Sequence, residues 1–385
     1  MQDDSEWSAV PLPVDSSDED DEDTELPTSS GDAGDKMEQL LRDIATGASR
    51  PPTLFDAEHW RAFGAQDGLH VDCVATAQKT NSDHSAAYRK SLDERGYFQC
   101  RAEDDSELHE RLTRGLRRLK AAGYAPAFIY VFDEAWIVLE RWWRTLAAVL
   151  AAMEDSEDER RRLVESSVLE PSFGAHVLSR PAVGSNGAAS NNDEANATEI
   201  KRHTHIGGAF SKPHRDHSSS DCFDSATGKP TLLSLWVPLT EVVKDNGCMH
   251  IVQKEYDPLL HQPEHPLHLS PHKSLDWGGV VALAPLTAGS ALAWHGSSIH
   301  WGARCSAYST AEPRASLTGA VRLAAARHTL LQSQQESALP ELTLDKLPLP
   351  LEERLRYVAG SILLYRWWYG LNSGVLPPEQ EVAVS

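Results

Sequence analysis

The sequence predicts a mainly β fold with flanking helices, and three features carry that expectation. Two long helical patterns, residues 106–119 and 133–153, lie ahead of the strands. From about residue 170 to 325 come several short apolar runs separated by long loops, a spacing that suits a jelly-roll barrel better than a parallel sheet. A final amphipathic stretch, residues 351–368, is suited to pack back on that barrel.

The chain opens with a different composition. Residues 1–36 hold 13 acids and one Lys, so the remainder carries only −9 of the formal charge of −21. Such a segment buries too little apolar surface to offset its ordering entropy. The expected organisation is a disordered acidic tail over residues 1–50 and a single domain over 51–385. Within that domain lie a helical part at 86–155, a jelly-roll core at about 170–325 and C-terminal helices at 326–372. The run Ser16-Ser17-Asp18-Glu19-Asp20 reads as a solvating tail; its other reading is a contact for a basic partner.

Weak helical spacing at 37–44 is broken by Pro51-Pro52. Residues 53–90 contain Phe55, Trp60 and Phe63 with no clear period. In 106–119, Leu108, Leu112, Leu116 and Leu119 recur every three or four residues behind Ser106, a candidate cap. In 133–153 a broad face of Trp136, Leu139, Trp142, Trp143, Leu146 and Leu150 is read as core. Residues 172–179 read as a strand. The polar loop 184–198 is either a lid or a disordered connection. A long apolar strand ends near Pro238. Residues 254–277 carry His261, His265, His268 and His272, but prolines and irregular spacing favour a solvated loop over a second metal site.

Composition excludes several functions. The folded part has no clustered Lys/Arg surface for nucleic acid or anionic membrane. Five scattered Cys without C-x-x-C spacing suggest neither a disulfide framework nor a zinc cage. No apolar run reaches spanning length and no secretory leader is evident, so a soluble, cytoplasmic protein is expected, an organelle not being excluded.

The chemistry centres on Pro213-His214-Arg215-Asp216-His217. In extended chain, alternate side chains share a face, so His214 and Asp216 would present an imidazole and a carboxylate to one point. His300, in Ser298-Ile299-His300-Trp301-Gly302, is the candidate third ligand. Two His and one carboxylate that leave other positions open suit Fe(II) oxygen chemistry. A second His-x-Asp, His70-Val71-Asp72, lies in a polar stretch without a strand and is read as a coincidence.

Taken with residues 231–240, Asp245–Val252, Gly289–Trp294 and Pro313-Arg314-Ala315-Ser316, this order of motifs resembles the phytanoyl-CoA dioxygenase family over roughly residues 91–323. Those enzymes are Fe(II)/2-oxoglutarate-dependent oxygenases on a double-stranded β-helix. The resemblance implies Fe(II) on His214, Asp216 and His300, with 2-oxoglutarate and O2 as cosubstrates. It further implies that Arg314 and Ser316 bind the remote carboxylate, for which a guanidinium fork is well matched, and that Trp236 lines the pocket. The expected reaction hydroxylates a small organic substrate and releases succinate and CO2. His295, in His295-Gly296-Ser297, is a rival to His300. The long interval at residues 306–312 leaves Arg304 and Arg322 as alternatives to Arg314. The other functional classes are a non-catalytic, cupin-like metal- or ligand-binding protein and a zinc-dependent hydrolase.

Overall fold

The computed structural model describes residues 32–72, 84–101, 105–180, 212–324, 339–369 and 375–377. Helices come first: α1 (Asp32–Thr46), α2 (Ala57–Ala65), α3 (Ser85–Arg95), then strand β1 (Tyr97–Cys100), and α4 (Ser106–Ala121), α5 (Asp133–Ala151) and α6 (Glu157–Glu165). Helix α1 lies within the stretch expected to be tail. Its Leu40, Leu41 and Ile44 are buried, and it packs on the C-terminal helix, so an apolar stripe that was faint in sequence finds a partner there. The acidic residues 1–31 and the loop 184–198 lie outside the described residues.

The expected helices form with small shifts. In α4 the predicted leucines are all buried. Ser106 is the first helical residue rather than the cap; Asp105 occupies the cap position and makes no side-chain capping bond. Helix α3 ends at Gly96, whose φ of 87° is left-handed, and this turns the chain directly into β1.

The strands β2 (Val168–Leu169), β3 (Gly174–Val177), β4 (Leu232–Pro238), β5 (Met249–Val252), β6 (Val280–Leu283), β7 (Ala291–His295), β8 (His300–Gly302), β9 (Ala315–Arg322) and β10 (Leu342–Thr343) build two sheets. The larger has the order β1-β7-β4-β9-β2-β10, with β3 also on β9; the smaller is β6-β5-β8. All pairings are antiparallel. No pairing closes the two sheets into a barrel among the described residues.

Alternation along the central strands divides their side chains between two environments. Leu233, Leu235 and Val237 of β4, with Leu317 and Val321 of β9, join the helical core around Leu139, Trp143 and Leu146 of α5. Each such side chain contributes about 1.5–3 kcal/mol by leaving water. Trp236, Leu292 and Trp294 face the other way and meet Met249 and Ile251 of the small sheet. The candidate site residues border that inter-sheet space, His300 packing on Trp294 and Arg314 on Trp236. After α7 (Ser219–Cys222), the C-terminal α8 (Leu351–Leu364) and α9 (Arg366–Tyr369) return to the helical layer. There buried Arg354 pairs with Asp133 and donates to the Val131 and Leu349 carbonyls.

Candidate metal centre

His214 and His300 meet through the backbone. His214 N–H donates to His300 O at 3.1 Å, and His300 N–H donates to His214 O at 3.0 Å, which extends the small sheet by one bridge. The paired imidazoles have centroids 4.5 Å apart. Asp216, two residues on, directs Oδ1 to within 3.7 Å of His214 Nε2 and 3.5 Å of His300 Nε2. One donor atom from each of the three lies within 4.8 Å of the others, the only such group of metal-type ligands among the described residues.

Each side chain is oriented from behind. His214 Nδ1 lies 3.0 Å from the Lys212 carbonyl, and His300 Nδ1 lies 3.0 Å from the Ser298 carbonyl. A carbonyl only accepts, so both Nδ1 atoms carry hydrogen and both Nε2 lone pairs are left for a cation. Ser234 Oγ donates to Asp216 Oδ2 at 2.8 Å, so Oδ1 is the oxygen left toward the imidazoles. Burial pushes the His300 imidazole down to about 4, so it is neutral at ordinary pH, the form in which an imidazole can ligate a metal. Burial works against ionisation of Asp216, but His300, His214 and His217 and the Ser234 hydroxyl outweigh it and hold the carboxyl below its ordinary range. The donor set fits a divalent cation with open positions.

A second cluster lies in the same space. Arg314, 5% exposed, donates through Nη1 to the Gly247 carbonyl and stacks over Trp236, 5.3 Å from the ring centroid. It passes across Gly302, where a Cβ would approach both terminal nitrogens to 3.2 Å; this gives the Gly of the His300-Trp301-Gly302 motif a steric reason. Arg314 Nε, Ser316 Oγ, Trp236 Nε1 and Trp294 Nε1 are buried with no hydrogen-bond partner among the described residues. Three of these are obligate donors, and the carboxylate of a ligand is the kind of acceptor that would satisfy them. Burial lowers Arg314 to about 10, leaving it charged at neutral pH.

The other candidates are elsewhere. His295 follows Trp294 and takes the opposite face of β7, against Phe223 at 5.0 Å, whereas Trp294 packs on His300 at 4.6 Å. Arg322 is tied to Glu170 and Glu341, and Arg304 is exposed. His70 Nδ1 lies 2.6 Å from Glu134 Oε1 and Asp72 pairs with Arg61 at 2.8 Å, so the two residues of the first His-x-Asp have separate partners. The loop 254–277 corrects the solvated reading in part. His261, His265 and His272 are exposed, but His268 is fully buried and accepts from Ser219 N–H at 3.2 Å. Sequence reasoning missed Ser234, the orienting partner of Asp216. A lone Ser in an apolar strand was its only signal.

An antiparallel two-sheet fold with two imidazoles and a carboxylate converging on one point fits the non-haem metal oxygenase class of site. The chain belongs to the phytanoyl-CoA dioxygenase (PhyH) family, whose profile matches residues 92–309. It is accordingly a 2-oxoglutarate-dependent Fe(II) dioxygenase. The matched segment contains His214, Asp216 and His300, while Arg314 and Ser316 lie just beyond its end.

Similar solved structures include the epimerase SnoN in complex with Fe3+, alpha ketoglutarate and nogalamycin RO, at 18% identity over 68% of this chain and 91% of that one, with a TM-score of 0.39. The alpha ketoglutarate dependent carbocyclase SnoK from nogalamycin biosynthesis gives 14% identity, 69% and 95% coverage and a TM-score of 0.40. The non-heme monooxygenase ThoJ gives 13%, 71% and 98%, and 0.41. No curated protein matches the sequence significantly.

Proposed function

We propose that this dioxygenase hydroxylates a small organic substrate, with His214, Asp216 and His300 holding Fe(II) and with Arg314, Ser316 and Trp236 holding 2-oxoglutarate. The observation that carries the reading is the convergence of His214 Nε2, His300 Nε2 and Asp216 Oδ1, each oriented by a separate hydrogen bond on its far side. When bound, iron and 2-oxoglutarate supply the oxidising power, one atom of O2 entering the substrate C–H bond and the other entering succinate as CO2 leaves.

The protein's part is binding, orientation and exclusion of water. Arg314 immediately precedes β9, and Ser316 lies on the β9 face that also carries Ala320, whose register partner Ser234 holds Asp216. One strand thus spans the distance between the carboxylate-binding end and the metal end. Ser316 Oγ is buried with no hydrogen-bond partner among the described residues, which leaves the hydroxyl available to the ligand carboxylate. Trp236 supports the guanidinium from below and Trp294 shields His300.

The two sheets are read as halves of a double-stranded β-helix within one oxygenase domain, helices covering its outer face. A zinc hydrolase would leave the buried donors of Arg314, Ser316 and Trp236 without a ligand. No helix among the described residues is long and apolar enough to cross a membrane; a cytoplasmic enzyme is the matching proposal. Anaerobic titration of the Fe(II) protein with 2-oxoglutarate tests the reading. A visible metal-to-ligand charge-transfer band should appear in the wild type and be lost in Asp216→Ala. Metal bound without the band would favour a cupin-like binding protein.

A further inference from the structure

Between the ligands His214 and Asp216 stands Arg215, and its side chain, on the reverse face, is fully buried. Its guanidinium makes four contacts. Nη1 and Nη2 donate to the two carboxylate oxygens of Asp257 at 2.6 and 2.7 Å, Nε donates to the His268 carbonyl at 2.8 Å, and Nη1 also donates to the Ser297 carbonyl. Ser297 is three residues ahead of His300. One side chain therefore grips both segments that carry the proposed ligands and ties them to the loop at 257–268. His268 closes the clamp, with Nδ1 on the Leu259 carbonyl at 2.9 Å and Nε2 accepting from Ser219 N–H.

A buried ion pair adds little net stability, because removing two charges from water costs about what their attraction returns. Fixed geometry is what such a pair does supply, and a fork that bonds two faces of one centre fits that use. We propose that the Arg215–Asp257 pair is a positioning device of the metal centre, holding the two ligand-bearing segments in register and coupling metal binding to the order of residues 257–268. This rests on the reading of His214, Asp216 and His300 as ligands. Arg215 and Asp257 act through those residues and touch no reactant.

The test compares anaerobic Fe(II) affinity with unfolding of the metal-free protein in the wild type, the double variant Arg215→Met/Asp257→Leu and Asp257→Asn, with Asp216→Ala as control. The double variant removes both charges and leaves no lone buried ion, so its unfolding midpoint should stay near that of the wild type while Fe(II) affinity drops about 10- to 100-fold. A folded double variant with wild-type affinity overturns the proposal. Should it fail to fold, the near-isosteric Asp257→Asn is judged by the same affinity criterion. In the wild type, Fe(II) should slow amide exchange at 257–268 and leave α6 unchanged, since coupling is reciprocal; unaltered exchange at 257–268 overturns the link. Failure of the wild type to bind Fe(II), or full binding by Asp216→Ala, would instead overturn the ligand set, and the proposal with it.

Discussion

Ser234, on the central strand β4, donates to Asp216 Oδ2 at 2.8 Å, and this one bond selects which carboxylate oxygen faces the two imidazoles. Ser234 is 2% exposed, so it has no bulk water to exchange for that acceptor. Ser234→Ala should weaken Fe(II) binding about 10-fold, the lower end of what orienting partners of metal ligands are worth. Anaerobic titration measures it, and unchanged affinity would show that Asp216 is oriented without help.

Arg314 is the cation proposed for the remote carboxylate of 2-oxoglutarate. Arg314→Leu should weaken 2-oxoglutarate about 10- to 100-fold, the scale of a lost charge-assisted hydrogen-bond pair, with Fe(II) affinity retained. The charge-transfer titration reads cosubstrate affinity and a metal assay reads the iron. Retained cosubstrate affinity would reassign the site.

Acid should destabilise the metal-free protein through its buried imidazoles. Burial pushes His295 down to about 3, and burial together with Arg314 does the same to His176. Both are neutral in the folded state while their unfolded counterparts take up a proton near 6.5. The unfolded state therefore binds more protons between these values, and stability present above about pH 6.5 is lost as pH falls toward 3. His295→Leu should flatten that slope in urea unfolding followed across pH, and an unchanged slope would contradict the sign.

The Arg354–Asp133 pair joins the C-terminal helix to α5, with both side chains buried. Arg354→Met takes the guanidinium away from the buried Asp133 carboxylate and should cost about 3–5 kcal/mol in denaturant unfolding. Fe(II) affinity per folded molecule should not change. A loss of metal at full stability would connect the helical layer to the site.

Much of the site was readable because it depends on local alternation. His214 and Asp216 share a face by the period of extended chain, as do Arg314 and Ser316, and those relations survive whatever the strands pair with. The helices at 106–121 and 133–151 were readable for the same kind of reason, a period of 3.6 in their leucines and tryptophans. Helix α1 was readable only as weak helical spacing over residues 37–44, since its few apolar residues find a partner only in the C-terminal helix. The role of Arg215 has no local signal, because its partners Asp257, His268 and Ser297 are 42, 53 and 82 residues distant.

By itself, then, the sequence determined the residue types, their facing within each strand and the family whose motif order they share. Tertiary structure decided which of two histidines, five residues apart, meets Asp216. His300 does, because β8 bridges His214 while β7 turns His295 to the opposite face. It also decided that residues 257–268 are tied through Arg215 to the segments that carry the proposed ligands. The physical reason is one of range: alternation is a property of neighbouring dihedrals, whereas register between strands and the burial of an ion pair depend on segments that only folding brings together.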